Sequence, residues 1–176
     1  MALVFENMEE FIRDHNPRTY LNIGKVAQIE EWMDLLNVKL DVYSINKNFK
    51  IDFDSGLYLS HNSWVSSPDY ICFERIAGNF DISYNKGTKN LDRCPDEVDG
   101  SFICHHCDLE TLEGGPDWIG GDFNASFNNL KDLKGFPKEI MGWVSIGEND
   151  KQFTEEEIRA VCNVHGKVYT TVADAF

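Results

Sequence analysis

Positive charge is what this sequence has least of. Its 16 lysines and arginines stand against 30 aspartates and glutamates, a formal net charge of −14. Nucleic acid and anionic membranes are bound through clustered Lys and Arg, so direct docking on either is not expected. A basic partner, or imitation of nucleic acid by the acidic surface, stays open. No apolar run approaches the ~20 residues that span a bilayer. Cysteine is scarce as well. Cys72, Cys94, Cys104, Cys107 and Cys162 are odd in number and follow no disulfide framework. The opening Met-Ala-Leu-Val-Phe-Glu has neither a basic leader nor a long apolar segment behind it. A reducing cytoplasm is the compartment these absences predict.

What is present suits one packed domain. Hydrophobic residues make up 42% of 176 and charged residues 26%, too apolar for wholesale disorder. The few prolines are also placed in phase. Pro95, Pro116 and Pro137 are each 21 residues apart, as are Gly100, Gly121 and Gly142. Leu109/Leu112 and Leu130/Leu133 keep the same step. A fixed period of this length marks a stacked-repeat architecture.

The frame inside the period is L-x-L-x-x-N/C-x-L, and it fits five times. The fits are Leu57-Leu59-Asn62-Trp64, Phe80-Ile82-Asn85-Gly87, Phe102-Cys104-Cys107-Leu109, Phe123-Ala125-Asn128-Leu130 and Val144-Ile146-Asn149-Lys151. Starts drift from 21 to 23 residues toward the N-terminus, which predicts a small insertion around residues 65–72. The first two apolar residues alternate on a short strand and both point inward. The Asn or Cys leaves the strand where a buried polar side chain can satisfy backbone groups of the next turn. One turn cannot bury its own apolar face, so turns stack and their strands form a parallel sheet. Gly78, Gly100, Gly121, Gly142 and Gly166 precede the strands, at corners needing positive φ or close backbone approach. An ordinary all-β domain is the competing reading, but it does not require a fixed Asn or Cys phase.

The ends read differently. Residues 7–14 and 25–36 have helical spacing, with Val26, Ile29, Met33 and Leu36 on one face and Pro17 between the helices. Alternation at Val38, Leu40 and Val42, then at Phe49, Ile51 and Phe53, predicts strands leading into the first repeat. At the other end, Thr154-Glu155-Glu156-Glu157 is a capping box opening a helix, with Ile158, Val161 and Cys162 facing inward. Gly166-Lys167-Val168 echoes Gly142-Trp143-Val144 and predicts a last strand. The predicted fold is therefore α+β: a right-handed, leucine-rich-repeat-type solenoid with a short-stranded parallel sheet. A helical and β N-terminal segment (1–53) caps about five turns (54–152), followed by a helix-strand C-terminal cap (153–176), all in one compact domain.

The motifs PDEVDGSFICHHCDL, LEGGPDWIGGDFNASFNNL, LKGFPKEIMGWVSIGEND and QFTEEEIRAVCNVHGKVY run from about Ile76 to Val168. This segment resembles leucine-rich-repeat proteins encoded by tailed bacteriophages. The resemblance covers about half the chain and implies a scaffold without catalytic residues. It further implies a phage accessory protein that binds and inhibits or redirects a host protein, defence systems included.

Chemistry-bearing motifs are few. Cys104-His105-His106-Cys107 has the C-x-x-C spacing of half a zinc site. The repeat already accounts for both cysteines, as an inward apolar residue and as the Asn/Cys residue, so no metal and no cofactor is expected. His61, His105, His106 and His165 have no nucleophile in a recognisable setting, and the carboxylates are scattered. The outward positions are more informative. Stacking the frames gives one column of His61, Tyr84, His106, Phe127 and Glu148. A second holds Tyr58, Asp81, Ile103, Asn124 and Ser145, with Trp143 beside them. Aromatic side chains recur where the core does not need them, and Tyr and Trp are favoured interface anchors. The expectation is a non-catalytic protein-binding module using this face, cytoplasmic in the host cell. An acidic DNA mimic that inhibits a nucleic-acid-binding protein and an unrecognised enzyme are the alternatives.

Overall fold

The computed structural model describes residues 17–39, 41–65 and 67–171. The helix expected over 7–14 lies outside them. The chain divides into two units, residues 1–40 and 41–176.

The first unit contains α1 (Pro17–Leu35). It begins at Pro17 itself, eight residues earlier than the periodicity suggested. Proline at the first helical position has its φ already set and lacks an N–H that would have no partner there. Ile29, Trp32 and Met33 form the buried face, while Leu36 lies beyond the helix and is exposed. Asn37 ends the helix at φ 57°. The Val38 N–H then reaches the Met33 carbonyl and the Asn37 N–H that of Asp34, the paired bonds of a Schellman stop.

The second unit is a parallel β-solenoid of about five turns. Each turn has two short strands. The strands of the frame are β3 (Leu57–Tyr58), β5 (Phe80–Asp81), β7 (Phe102–Ile103), β9 (Phe123–Asn124) and β11 (Val144–Ser145), joined at the end by β13 (Val168–Tyr169). They form sheet B, parallel and in one register: Leu57 opposite Phe80, Phe80 opposite Phe102, and so on to Val144 opposite Val168. The frame and its final Gly-x-Val echo therefore describe real rungs.

The return segments hold a second sheet that the frame did not reveal. Sheet A runs through β1 (Tyr43–Ile45), β2 (Ile51–Phe53), β4 (Phe73–Ile76), β6 (Glu97–Val98), β8 (Trp118–Ile119), β10 (Glu139–Ile140) and β12 (Asn163–Val164). It is parallel except for the β1–β2 hairpin. The strands expected over 38–53 are thus shorter. Phe49 sits in the hairpin turn at φ 62°, where strand pairing is impossible. Register slips between β2 and β4, where Glu74 has no partner opposite; this bulge absorbs part of the N-terminal drift.

The core lies between the sheets. Phe80, Phe102 and Phe123 stack ring on ring at 5.5 and 5.7 Å. Ile76, Val98, Ile119 and Ile140 oppose them from sheet A, all fully buried. The corner glycines answer the close-approach alternative, and none of them has positive φ. Gly100, Gly121, Gly142 and Gly166 each donate N–H to the glycine one turn earlier, at 2.9–3.1 Å. A Cβ on Gly121 would stand 2.7 Å from the Gly100 carbonyl carbon, so no side chain fits.

Asn85, Asn128 and Asn149 form the polar ladder, but they serve the preceding turn rather than the next. Asn128 accepts from the Cys107 and Leu109 N–H groups and donates to the carbonyls of Cys104, Ala125 and Ser126. Cys107 fills its rung by donating Sγ–H to the Ile82 carbonyl at 3.0 Å. Asn62 stands outside the ladder, exposed and at φ 70°. Its frame is the first of the five.

Around the insertion, Arg93 lies over the Trp64 ring at 4.8 Å and donates to Ser67 Oγ and the Pro68 carbonyl, fastening the loop. At the C-terminus, Thr154 caps α2 (Glu155–Val161) in a complete capping box. Ile158 and Cys162 are buried as expected, whereas Val161 is 50% exposed, since a seven-residue helix buries only a narrow stripe. Phe153, buried, closes the fifth turn in place of Lys151, which pairs with Glu157.

Candidate interaction surface

Four residues after the first inward residue of each frame, the chain turns sharply out of sheet B. His61, Tyr84, His106, Phe127 and Glu148 take φ values of 56–58° there. Left-handed backbone costs a non-glycine residue about 1 kcal/mol or more, and five turns repeat it. The N–H groups of the four ring residues still pair with the following turn: His61 to the Ser83 carbonyl, Tyr84 to His105, His106 to Ser126 and Phe127, and Phe127 to Gly147. The side chains are therefore held at the rung spacing of the sheet.

That spacing stacks the rings. Centroids are 5.1 Å apart for His61–Tyr84, 4.8 Å for Tyr84–His106 and 4.3 Å for His106–Phe127, with planes within 18–20° of parallel. The first column of the sequence analysis is thus a continuous aromatic ladder, extended at its end by exposed Glu148. Tyr84 is 42% exposed and Phe127 40%. Both faces of Tyr84 and His106 are covered by neighbouring rings, so this ladder presents ring edges.

The second column is more mixed. Tyr58 is 63% exposed, Asp81, Ile103 and Asn124 are half-buried, and Ser145 is buried. Asp81 and Asn124 bend back so that Oδ1 accepts the N–H of Ser83 and Ser126. Ser145 is buried because its hydroxyl meets Ser126 Oγ at 2.8 Å. Trp143 sits at the opposite end of its strand from the ladder, edge-on to Tyr169 at 5.9 Å. Its backbone N–H is held by Asp122 Oδ1.

Sequence reasoning singled out His105 only as a loose histidine. Its Nδ1 lies 2.9 Å from Nδ1 of His106, and its ring meets Tyr84 edge-on. Burial, and then the neighbouring His106, hold its pKa below the usual imidazole value. One proton at most fits between the two nitrogens. The C-x-x-C spacing was the visible signal here, and it drew attention to the cysteines.

The cysteines face the core. Burial raises the Cys104 thiol well above its ordinary range and pushes Cys107 up to about 11. Neither is poised as a thiolate nucleophile or ligand at neutral pH. Among the described residues no group of three His, Cys, Asp or Glu is set to hold a metal ion. His165 lies away from the ladder, with Nε2 3.0 Å from Glu139 Oε1.

The carboxylates looked scattered in sequence, yet the period pairs many of them with a cation one turn away. Lys89 meets Glu110, Lys134 meets Glu113 and Lys138 meets Asp117. Lys50 bridges Glu74 and Asp96, and Arg75 binds Asp99. Paired Lys89 holds the Glu110 carboxyl below its usual range.

A comparison with protein-family models gives no match, and searches of curated proteins and of solved structures return none. Among the described residues no helix is long and apolar enough to cross a membrane.

Proposed function

We propose that this chain is a non-catalytic protein-binding solenoid that docks a partner on the outer face of sheet B. The observation that carries this reading is the ladder of half-exposed rings, each held at a left-handed residue. Glycine would relieve the backbone strain at those positions, so the side chains must repay it. Ring stacking repays part, about 0.5–1.5 kcal/mol per pair. Capture of a partner by exposed Tyr and Phe edges is the role that accounts for the rest.

In this reading the frame is of leucine-rich-repeat type, its return segments shortened to strands. The chain is then an accessory protein of the tailed-phage kind, acting in the host cytoplasm to inhibit or redirect a host protein, defence proteins included. The in-register ion pairs weigh against DNA mimicry, because they neutralise carboxylates that a mimic would display. Thiols turned into the core weigh against an enzyme built on the cysteines.

The test is capture from bacterial lysate on the immobilised chain, with captured proteins identified by mass spectrometry. The wild type should retain a protein that Tyr84→Ala/Phe127→Ala does not. Equal retention by both contradicts the proposal.

A further inference from the structure

The two outer faces of the solenoid differ in charge. On sheet A and in the return segments, lysines and arginines stand in register with carboxylates, as with Lys50, Arg75 and Lys138. Sheet B is different. Its outward positions lie one before, and one, three and four after, the first inward residue of each frame. Across the five frame turns these described positions include Asp81, Asp122 and Glu148 but no lysine or arginine, and the one cation at such a position among the described strands of sheet B is exposed Lys167 of β13, beside Trp143. Burial, and then the neighbouring His106, hold His105 toward its neutral form, so it does little to offset these acids.

We propose that the occupant of this face is an extended, arginine-containing peptide segment of the partner protein. The proposal rests on the binding reading above and names the partner's chemistry. Three features select it. Ring edges of Tyr84, His106 and Phe127 make an apolar shelf along which the methylene stem of an arginine can lie. Asp81 and Glu148, in turns that carry the ladder, and Asp122, at the other end of its strand beside Trp143, can take guanidinium groups in charge-assisted bonds. The open ring of Tyr58 and the exposed part of Trp143 can accept a cation over their faces. A sugar is disfavoured, because it would need flat ring faces and the ladder's inner rings already cover each other. An acidic segment would meet the carboxylates of Asp81, Asp122 and Glu148.

The experiment is titration of the full chain with a fluorescent twelve-residue peptide alternating arginine and serine. Its twin carries citrulline, the neutral isostere, in place of each arginine. Two triple variants of equal charge change are compared: Asp81→Asn/Asp122→Asn/Glu148→Gln on the face, and Asp69→Asn/Asp132→Asn/Glu156→Gln away from it. Asparagine keeps the Oδ1 acceptors that hold Ser83 and Trp143, so the face variant should melt like wild type. Arginine peptide should bind wild type at least tenfold tighter than citrulline peptide. The face triple should lose at least tenfold in affinity and the remote triple less than twofold. Equal losses in both triples, or no preference for arginine over citrulline, overturn the inference. The lysate capture separates this from failure of the underlying reading. A partner lost by Tyr84→Ala/Phe127→Ala but kept by the face triple sinks only the arginine proposal, while a partner kept by both sinks the face itself.

Discussion

Replacing Asn128 by alanine removes a rung of the polar ladder. Asn128 is 5% exposed and makes five hydrogen bonds, all to backbone. Alanine leaves the N–H groups of Cys107 and Leu109 without this acceptor in a buried place. Each unsatisfied buried group costs ~1–3 kcal/mol. The three carbonyls lose less, because a carbonyl has a second lone pair and two of them lie in the residue's own turn. A loss of about 3–4 kcal/mol follows, a large share of a typical 5–15 kcal/mol domain stability. At ~2–4 °C per kcal/mol for a chain of this size, the melting temperature should fall by roughly 6–15 °C. Among the described residues Asn149 accepts from Leu130 alone, at 3.3 Å, and it is half-buried, so Asn149→Ala should cost about half as much. Asn62→Ala should cost only about 1 kcal/mol, the penalty for placing alanine at its left-handed φ of 70°, because Asn62 is exposed and outside the ladder. Urea unfolding followed by circular dichroism gives all three. Equal losses at Asn62 and Asn128 would refute the ladder as the source of the effect.

Phe123→Asp places a charge between Phe102 and Val144 in the fully buried stack and should prevent folding, read as loss of a cooperative melt; melting within a degree of wild type would contradict the inward assignment. His105 has a lower pKa folded than unfolded, so the unfolded chain takes up its proton first as pH falls below ~6.5. Stability should therefore drop from pH 7.5 to 5.5, and His105→Gln should flatten that slope; an unchanged slope would remove His105 as its cause. Protein purified under reducing conditions should contain no stoichiometric zinc. One zinc per chain by elemental analysis, lost on Cys107→Ser, would revive a metal site at the C-x-x-C spacing.

Sheet B was legible because its constraints are one residue wide. Phe102 and Cys104 must be apolar, Gly121 must lack a Cβ, and Asn128 must carry both donor and acceptor, so the period shows through. Sheet A was hidden by its brevity. Glu97–Val98 and Glu139–Ile140 offer one inward residue each, and period-two alternation needs at least four residues to be visible. The segments Pro95–Val98, Pro116–Ile119 and Pro137–Ile140 did share a Pro-x-x-Val/Ile spacing, which was the available signal. The ladder column was legible by register, but its left-handed backbone was not. Nothing about Tyr84 or Phe127 as residue types announces φ near 57°, whereas Gly or Asn would have. Val161 was misassigned because helical spacing gives the face of a helix and not the width of what covers it.

The central claim is that the aromatic face of sheet B, rather than diffuse negative charge, binds a protein partner. The direct measurement is the dissociation constant of the captured partner for two variants at low and moderate salt, with melting temperatures as controls. One variant is Tyr84→Ala/Phe127→Ala. The other is Glu155→Lys/Glu156→Lys, at exposed positions on α2 away from the ladder. Truncated anchors of this kind cost at least ~2 kcal/mol each, about thirtyfold in affinity. The account predicts loss of measurable binding for the aromatic pair and less than a threefold change for the acidic pair, at both salts. Wild-type affinity in the aromatic pair, with strong salt-dependent loss in the acidic pair, would contradict it and favour recognition of charge alone.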